Sequence, residues 1–76
     1  MNQQAISPAI RAAWYQPARQ QLDLLFGSGR HYRYANVPAD IAEQFARAPS
    51  KGGFYNRMIR GHYACLQLDR DLVDAA

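Results

Sequence analysis

A single cysteine, Cys65, leaves this chain without an internal disulfide and fits a reducing compartment. No apolar run approaches the ~20 residues that a membrane-spanning helix needs. The opening Met1-Asn2-Gln3-Gln4-Ala5-Ile6-Ser7-Pro8 lacks the basic start and apolar stretch of a secretion signal. Together these absences predict a cytoplasmic protein with no membrane partner. Internal repeats, low-complexity runs and linkers are missing as well, and 76 residues leave no room for a second domain.

Signatures of catalysis are equally scarce. Ser28 belongs to a Gly27-Ser28-Gly29 turn, not to a nucleophile elbow, and Ser50-Lys51-Gly52-Gly53 has neither the order nor the length of a P-loop. One cysteine and two histidines, His31 and His62, fall short of the four ligands a zinc site wants, and Cys65 lies in an apolar stretch where a thiol is usually an inert filler. The expectation is a non-catalytic chain with no cofactor and no metal.

Acidic residues are few and unevenly placed. Three of the six, Asp69, Asp71 and Asp74, fall in the last eight residues, so residues 1–68 carry eight basic and three acidic side chains, net +5 against +3 for the whole chain. Between Arg47 and Tyr63 there is no acid at all. A basic body favours a polyanionic partner such as nucleic acid.

What the chain does contain is apolar mass: 49% of its residues are hydrophobic, including five Tyr, three Phe and one Trp, enough to fold. Residues 10–15 read as a first strand, with Ile10, Ala12 and Trp14 on one side and Arg11, Ala13 and Tyr15 on the other, ended by Pro17. Residues 19–26 alternate more firmly, Leu22, Leu24 and Phe26 facing one way. The Gly27-Ser28-Gly29 turn then predicts a hairpin into a third strand over residues 30–35, whose Arg30-His31-Tyr32-Arg33-Tyr34 has a period of two. Val37-Pro38 opens a helix with Ile41, Ala42, Phe45, Ala46 and Ala48 on one arc and a Glu43–Arg47 pair on the other, stopped by Pro49. Ser50 caps a second helix that puts Phe54, Tyr55, Met58 and Ile59 on one side and Asn56, Arg57 and Arg60 on the other, with Gly61 as its stop.

Residues 63–68 alternate weakly as an optional last strand. The reading is an α+β fold: a small antiparallel sheet of three or four strands with two helices on one face, in the order β-β-β-α-α with an optional final β. It assigns residues 1–8 to a lead-in, 9–68 to a single domain and 69–76 to an acidic tail. The leucines of the second strand choose the covered face and hairpin pairing brings Tyr32 and Tyr34 to it, which leaves Arg11, Tyr15, His31 and Arg33 on the open side. The alternative is an open face of tyrosines on which bases could stack.

The succession of landmarks resembles the KTSC domain, named for its occurrence at the C-terminus of some lysyl-tRNA synthetases. The matching residues are Ser7 with Ile10 and Tyr15, Leu24-Leu25-Phe26 with Gly29, Tyr32-Arg33-Tyr34 and Val37-Pro38. They continue through Ala48-Pro49-Ser50-Lys51-Gly52 and Phe54-Tyr55-Asn56 to Ile59-Arg60-Gly61-His62-Tyr63. Trp14 and Gln16 depart from the family's pattern, where a small and an acidic residue are common. The resemblance implies a small bacterial domain for which RNA binding has been proposed.

Two surfaces are candidates on the residues themselves. Arg47, Lys51, Arg57, Arg60 and His62 form an acid-free group that could follow a phosphate backbone, and the N–H groups of Gly52 and Gly53 beside Lys51 could hold one phosphate. The same group is equally a capped helix with a solvated charged face. Asn56 could hydrogen-bond a base or tie two loops together. Arg11, Tyr15, His31 and Arg33 form the secondary surface. The function expected is a monomeric nucleic-acid-binding module; the alternative is an interaction module for an acidic protein or a second copy of itself. The acidic tail could fold back onto the basic face and compete with the ligand.

Overall fold

The alternation of Leu22, Leu24 and Phe26 sets the architecture. In the computed structural model, which describes residues 10–68, all three are buried and the residues between them are not. They lie on β2 (Gln21–Phe26), which pairs antiparallel with β1 (Ile10–Gln16) on one side and β3 (His31–Tyr34) on the other. β4 (Cys65–Gln67) pairs antiparallel with the far edge of β3, so the sheet runs β1-β2-β3-β4 and the optional fourth strand is present. Between β3 and β4 lie α1 (Ala39–Arg47) and α2 (Lys51–Phe54), the latter continued by a wider π-helical turn over Tyr55–Ile59. The lead-in assigned to residues 1–8 and the acidic tail at 69–76 lie outside the described residues.

The hairpin joining β2 to β3 is the three-residue kind. Gly29 N–H donates to Phe26 O at 2.9 Å and Phe26 N–H to Arg30 O at 2.9 Å, with Gly29 at φ +94°, a left-handed conformation that favours glycine. The link from β1 to β2 is a turn over residues 17–20. The N–H groups of Arg19 and Gln20 bond back to Gln16 O and Pro17 O, each at 3.2 Å, which is why β2 begins two residues later than the alternation suggests. Gln20 O then accepts the Val37 N–H at 2.9 Å and pins this turn to the chain entering α1.

β1 is where the pattern misleads. Ile10 stands opposite Phe26 but Ala12 stands opposite Leu25, so Arg11 is an extra residue in a β-bulge. One inserted residue moves everything on one side of it to the opposite face. Tyr15, expected on the open side, therefore packs against the core and donates its hydroxyl to Val37 O at 2.7 Å. Trp14, expected on the covered side, stands on the open one, 52% exposed, its ring centroid 5.9 Å from that of His31.

The core sits between the sheet and the two helices. Leu22, Leu24, Phe26 and Tyr34 come from the strands, Val37 from the connection, Phe45 from α1, and Phe54, Tyr55 and Ile59 from the second helical segment. Removing each aliphatic or Phe side chain from water contributes about 1.5–3 kcal/mol. Tyr34 is buried and Tyr32 half-buried on this side, so the Tyr-x-Tyr pair belongs to the covered face and the open face of the sheet carries no tyrosine platform among the described residues. The Tyr34 and Tyr55 hydroxyls meet at 2.6 Å. Burial first, then this hydrogen bond, holds the Tyr34 proton far above the usual phenol range.

α1 buries Ala42 and Phe45 as its periodicity requires. Pro38 stands one position earlier than the first helical residue, as the cap; its carbonyl accepts from both Ile41 and Ala42 N–H at 3.1 Å. The π turn has a consequence of its own. Arg60 N–H reaches five residues back to Tyr55 O at 2.8 Å. In so wide a turn residues four apart stay nearly in line while those three apart diverge, so Tyr55 and Ile59 share the core and Met58, expected beside them, is exposed.

Candidate functional site

The basic helical segment is assembled from its cap outward. Ser50 is the N-cap of α2, and its Oγ accepts the Gly53 N–H at 3.1 Å. Gly53 has room for this only because it lacks a Cβ: an added methyl carbon would lie 3.0 Å from Ser50 Oγ. Beyond the cap, burial of Phe54, Tyr55 and Ile59 forces Asn56, Arg57 and Arg60 outward, and Gly61 at φ +79° ends the segment. His62 follows, exposed, its N–H on Ile59 O at 3.0 Å.

The predicted cations do not form one patch. Arg47 pairs with Glu43 at 2.9 Å, both exposed, and Lys51 Nζ donates to Ala48 O at 3.0 Å. Arg57 and Arg47 line a groove between the end of α1 and the start of α2, together with Gln44, Pro49, Ser50 and Phe54. Arg60 instead lines a separate depression against the β2–β3 hairpin. Among the described residues neither the Arg57 nor the Arg60 side chain has an ion-pair or hydrogen-bond partner.

The single-phosphate cradle at Gly52 and Gly53 is weaker than the sequence suggests. Gly53 N–H is already spent on Ser50 and the Lys51 ammonium on a carbonyl. Asn56 is exposed and its side chain bonds no other described residue, so it does not tie loops together.

The open face of the sheet is not basic either. Asp23, a cross-strand neighbour of Arg33, receives Arg33 Nε at 2.9 Å and a second guanidinium nitrogen at 3.1 Å, and its Oδ2 lies 3.1 Å from His31 Nε2. Burial alone would raise the Asp23 pKa; the hydrogen bonds from Arg33 and His31 and their charges outweigh it and hold the carboxyl below its usual value. The same hydrogen bond raises Arg33 above its ordinary value. Of the secondary surface, then, His31 and Arg33 face the open side but are engaged by Asp23, Tyr15 is turned into the fold, and Arg11 is an exposed bulge residue. Trp14 and Leu66, 52% and 53% exposed, flank the carboxylate–guanidinium pair in a single cross-strand row, Trp14–Asp23–Arg33–Leu66.

One residue was missed. Arg30, on the shoulder of the hairpin, is exposed, has no side-chain partner among the described residues, and shares the depression of Arg60. The alternation presents Arg30 only as the first residue of a strand, although a basic residue just after a Gly-Ser-Gly turn is a detectable signal. Cys65 is exposed on the edge strand, not buried filler. Among the described residues no three His, Cys, Asp or Glu side chains gather closely enough to hold a metal ion, and no helix is long and apolar enough to cross a membrane.

Comparison with known proteins places these features. The profile of the KTSC domain family matches residues 6–63. A lysine–tRNA ligase of Nostoc sp. is 41% identical over 59 residues, 78% of this chain, and one from Nostoc punctiforme is 39% identical over the same length. This chain spans only 10% of the length of those ligases. A protein from Tsukamurella paurometabola is 37% identical over 62 residues, covering 82% of this chain and 92% of its own. The crystal structure of a KTSC domain protein from Yersinia pestis superposes with a TM-score of 0.72 at 32% identity, over 76% of this chain and 82% of that one.

Proposed function

Since the chain belongs to the KTSC domain family, a module also found within lysine–tRNA ligases, we propose that it is a non-catalytic module that binds RNA through phosphate contacts. The observation that carries this reading is the state of its charges. Of the three acids among the described residues, Asp23 and Glu43 are already paired with arginines. Arg11, Arg19, Arg30, Lys51, Arg57 and Arg60 have no carboxylate partner there. Uncompensated guanidinium groups on a rigid segment are suited to forked hydrogen bonds with phosphate oxygens, and each contact made releases a condensed counterion. Arg57 and Arg60 are the leading contacts, with Lys51 adding charge, whereas Arg47 is offset by Glu43; Asn56 and His62, exposed beside them, are free to meet bases. The adjacency to a tRNA-handling enzyme in the ligases is supporting analogy.

The test is a titration of single-stranded RNA against the purified chain at low and at physiological salt, with Arg57→Ala/Arg60→Ala alongside. Binding that weakens steeply with salt, and is reduced in a double variant that still folds, supports the reading. No binding at low salt ends it. A second reading has its own observation: exposed Trp14 and Leu66 on the uncovered sheet face suit a protein partner. Pull-down before and after nuclease treatment separates the two, since partners retained after nuclease favour protein contacts.

A further inference from the structure

We propose that the depression between the β2–β3 hairpin and the end of the π-helical turn is a single-nucleotide site. The phosphate lies between Arg30 and Arg60, and the base rests against the aromatic wall that includes Tyr32. This rests on the RNA-binding reading and narrows it to single strands.

The cavity is about 320 Å³, and its lining includes Phe26, Ser28, Arg30, Tyr32, Tyr55 and Arg60, with no acid. Its size falls at the lower end of the ~300–1,000 Å³ of ligand pockets, suited to one small ligand. The two arginines arrive from elements far apart in sequence, and both are fixed at the backbone: Arg30 O accepts Phe26 N–H at 2.9 Å and Arg60 N–H donates to Tyr55 O at 2.8 Å. Neither guanidinium has a partner among the described residues. Two cations bordering one depression repel each other, and an anion between them removes that cost while giving both a forked acceptor. Ser28 adds a hydroxyl whose oxygen accepts Arg30 N–H at 3.4 Å, which leaves its proton to donate to a phosphate.

The aromatic wall makes the ligand more than a bare anion. Phe26 meets Tyr32 edge-on with centroids 5.7 Å apart, and meets Tyr55 edge-on at 5.3 Å. Phe26 and Tyr55 are buried, which fixes the wall, and half-buried Tyr32 completes the aromatic lining of the cavity. A flat aromatic body joined to a phosphate matches both halves, and that is a nucleotide. In a duplex the base faces are stacked and out of reach; in a single strand they are not. The groove at Arg57 has no second unengaged guanidinium, because Arg47 there is held by Glu43.

The test follows amide and side-chain resonances of the full chain during titration with a nucleoside 5′-monophosphate, the bare nucleoside and inorganic phosphate. The monophosphate is expected to shift signals of Arg30, Tyr32 and Arg60 and to bind more tightly than either half. Arg30→Gln and Arg60→Gln, both at exposed positions, should each weaken it about fivefold or more, the scale of one charge-assisted contact. Arg57→Gln should leave it unchanged while weakening a single-stranded RNA oligomer. Inorganic phosphate or a glutamate-rich peptide binding there as tightly overturns the proposal, as does indifference to Arg30→Gln. RNA binding with no mononucleotide signal at the cavity overturns the site and leaves the RNA reading standing. Mononucleotide binding there without any RNA binding does the reverse.

Discussion

Gly53→Ala sets two effects of similar size against each other. Replacing a helical glycine by alanine ordinarily stabilises by up to ~1 kcal/mol, because the unfolded chain loses freedom and the helix gains a better former. At this position the new methyl would sit 3.0 Å from Ser50 Oγ, a contact that drives the hydroxyl off the Gly53 N–H it now caps. Loss of an N-cap costs about 0.5–2 kcal/mol. The two nearly cancel, so the single change should be neutral or destabilising by up to ~1 kcal/mol. In a Ser50→Ala background there is no cap to lose, and the nearest remaining neighbours, the residue-50 Cβ and the Arg57 guanidinium, lie at an ordinary 3.5 Å. There Gly53→Ala should stabilise by about 0.5–1 kcal/mol. Urea denaturation of the four proteins closes the cycle, with the slope unchanged and the midpoints carrying the effect. A coupling near 1 kcal/mol is expected. Additivity within ~0.3 kcal/mol would show that the Ser50–Gly53 bond does not hold the start of the basic segment.

Tyr34→Phe should cost about 1–3 kcal/mol, since it strands the buried Tyr55 hydroxyl, and Tyr55→Phe less, since the Tyr34 hydroxyl keeps its hydrogen bond with Cys65, while the double variant should cost less than the sum; chemical denaturation decides. Asp23→Asn should destabilise near neutral pH, where the carboxylate holds Arg33 and His31. The Asp23 pKa is lowered from 3.8, so its contribution is complete above that value and lost as pH falls through the depressed one; the gap in denaturation midpoint between wild type and variant should close at the acid end. A gap that persists there would contradict the assignment.

The strongest elements were legible in the sequence for physical reasons. Leu22, Leu24 and Phe26 can satisfy only one face of a strand, Gly29 supplies a left-handed φ, and α1 has one apolar arc. The Arg11 bulge was not legible, because the small Ala12 and Ala13 fit either face and nothing in composition marks the inserted residue. The π turn was hidden likewise: Met58 suits a buried helical position, and only the bond from Arg60 to Tyr55 turns it out. For the site, the acid-free run found Arg57 and Arg60 but not their separation into two depressions. The Asp23–Arg33 pair needed the hairpin register, in which those two residues stand opposite.

The account distinguishes arginines held by the protein's own carboxylates from those left to a ligand, and the salt dependence of RNA binding reads that difference directly. On a single strand each phosphate contact contributes about 0.7 to the slope of log affinity against log salt. Arg57→Gln/Arg60→Gln should therefore lower the slope by about 1.4, while Arg33→Gln, whose guanidinium is engaged by Asp23, should leave it unchanged. A slope that falls with Arg33→Gln and not with the double variant would contradict the account.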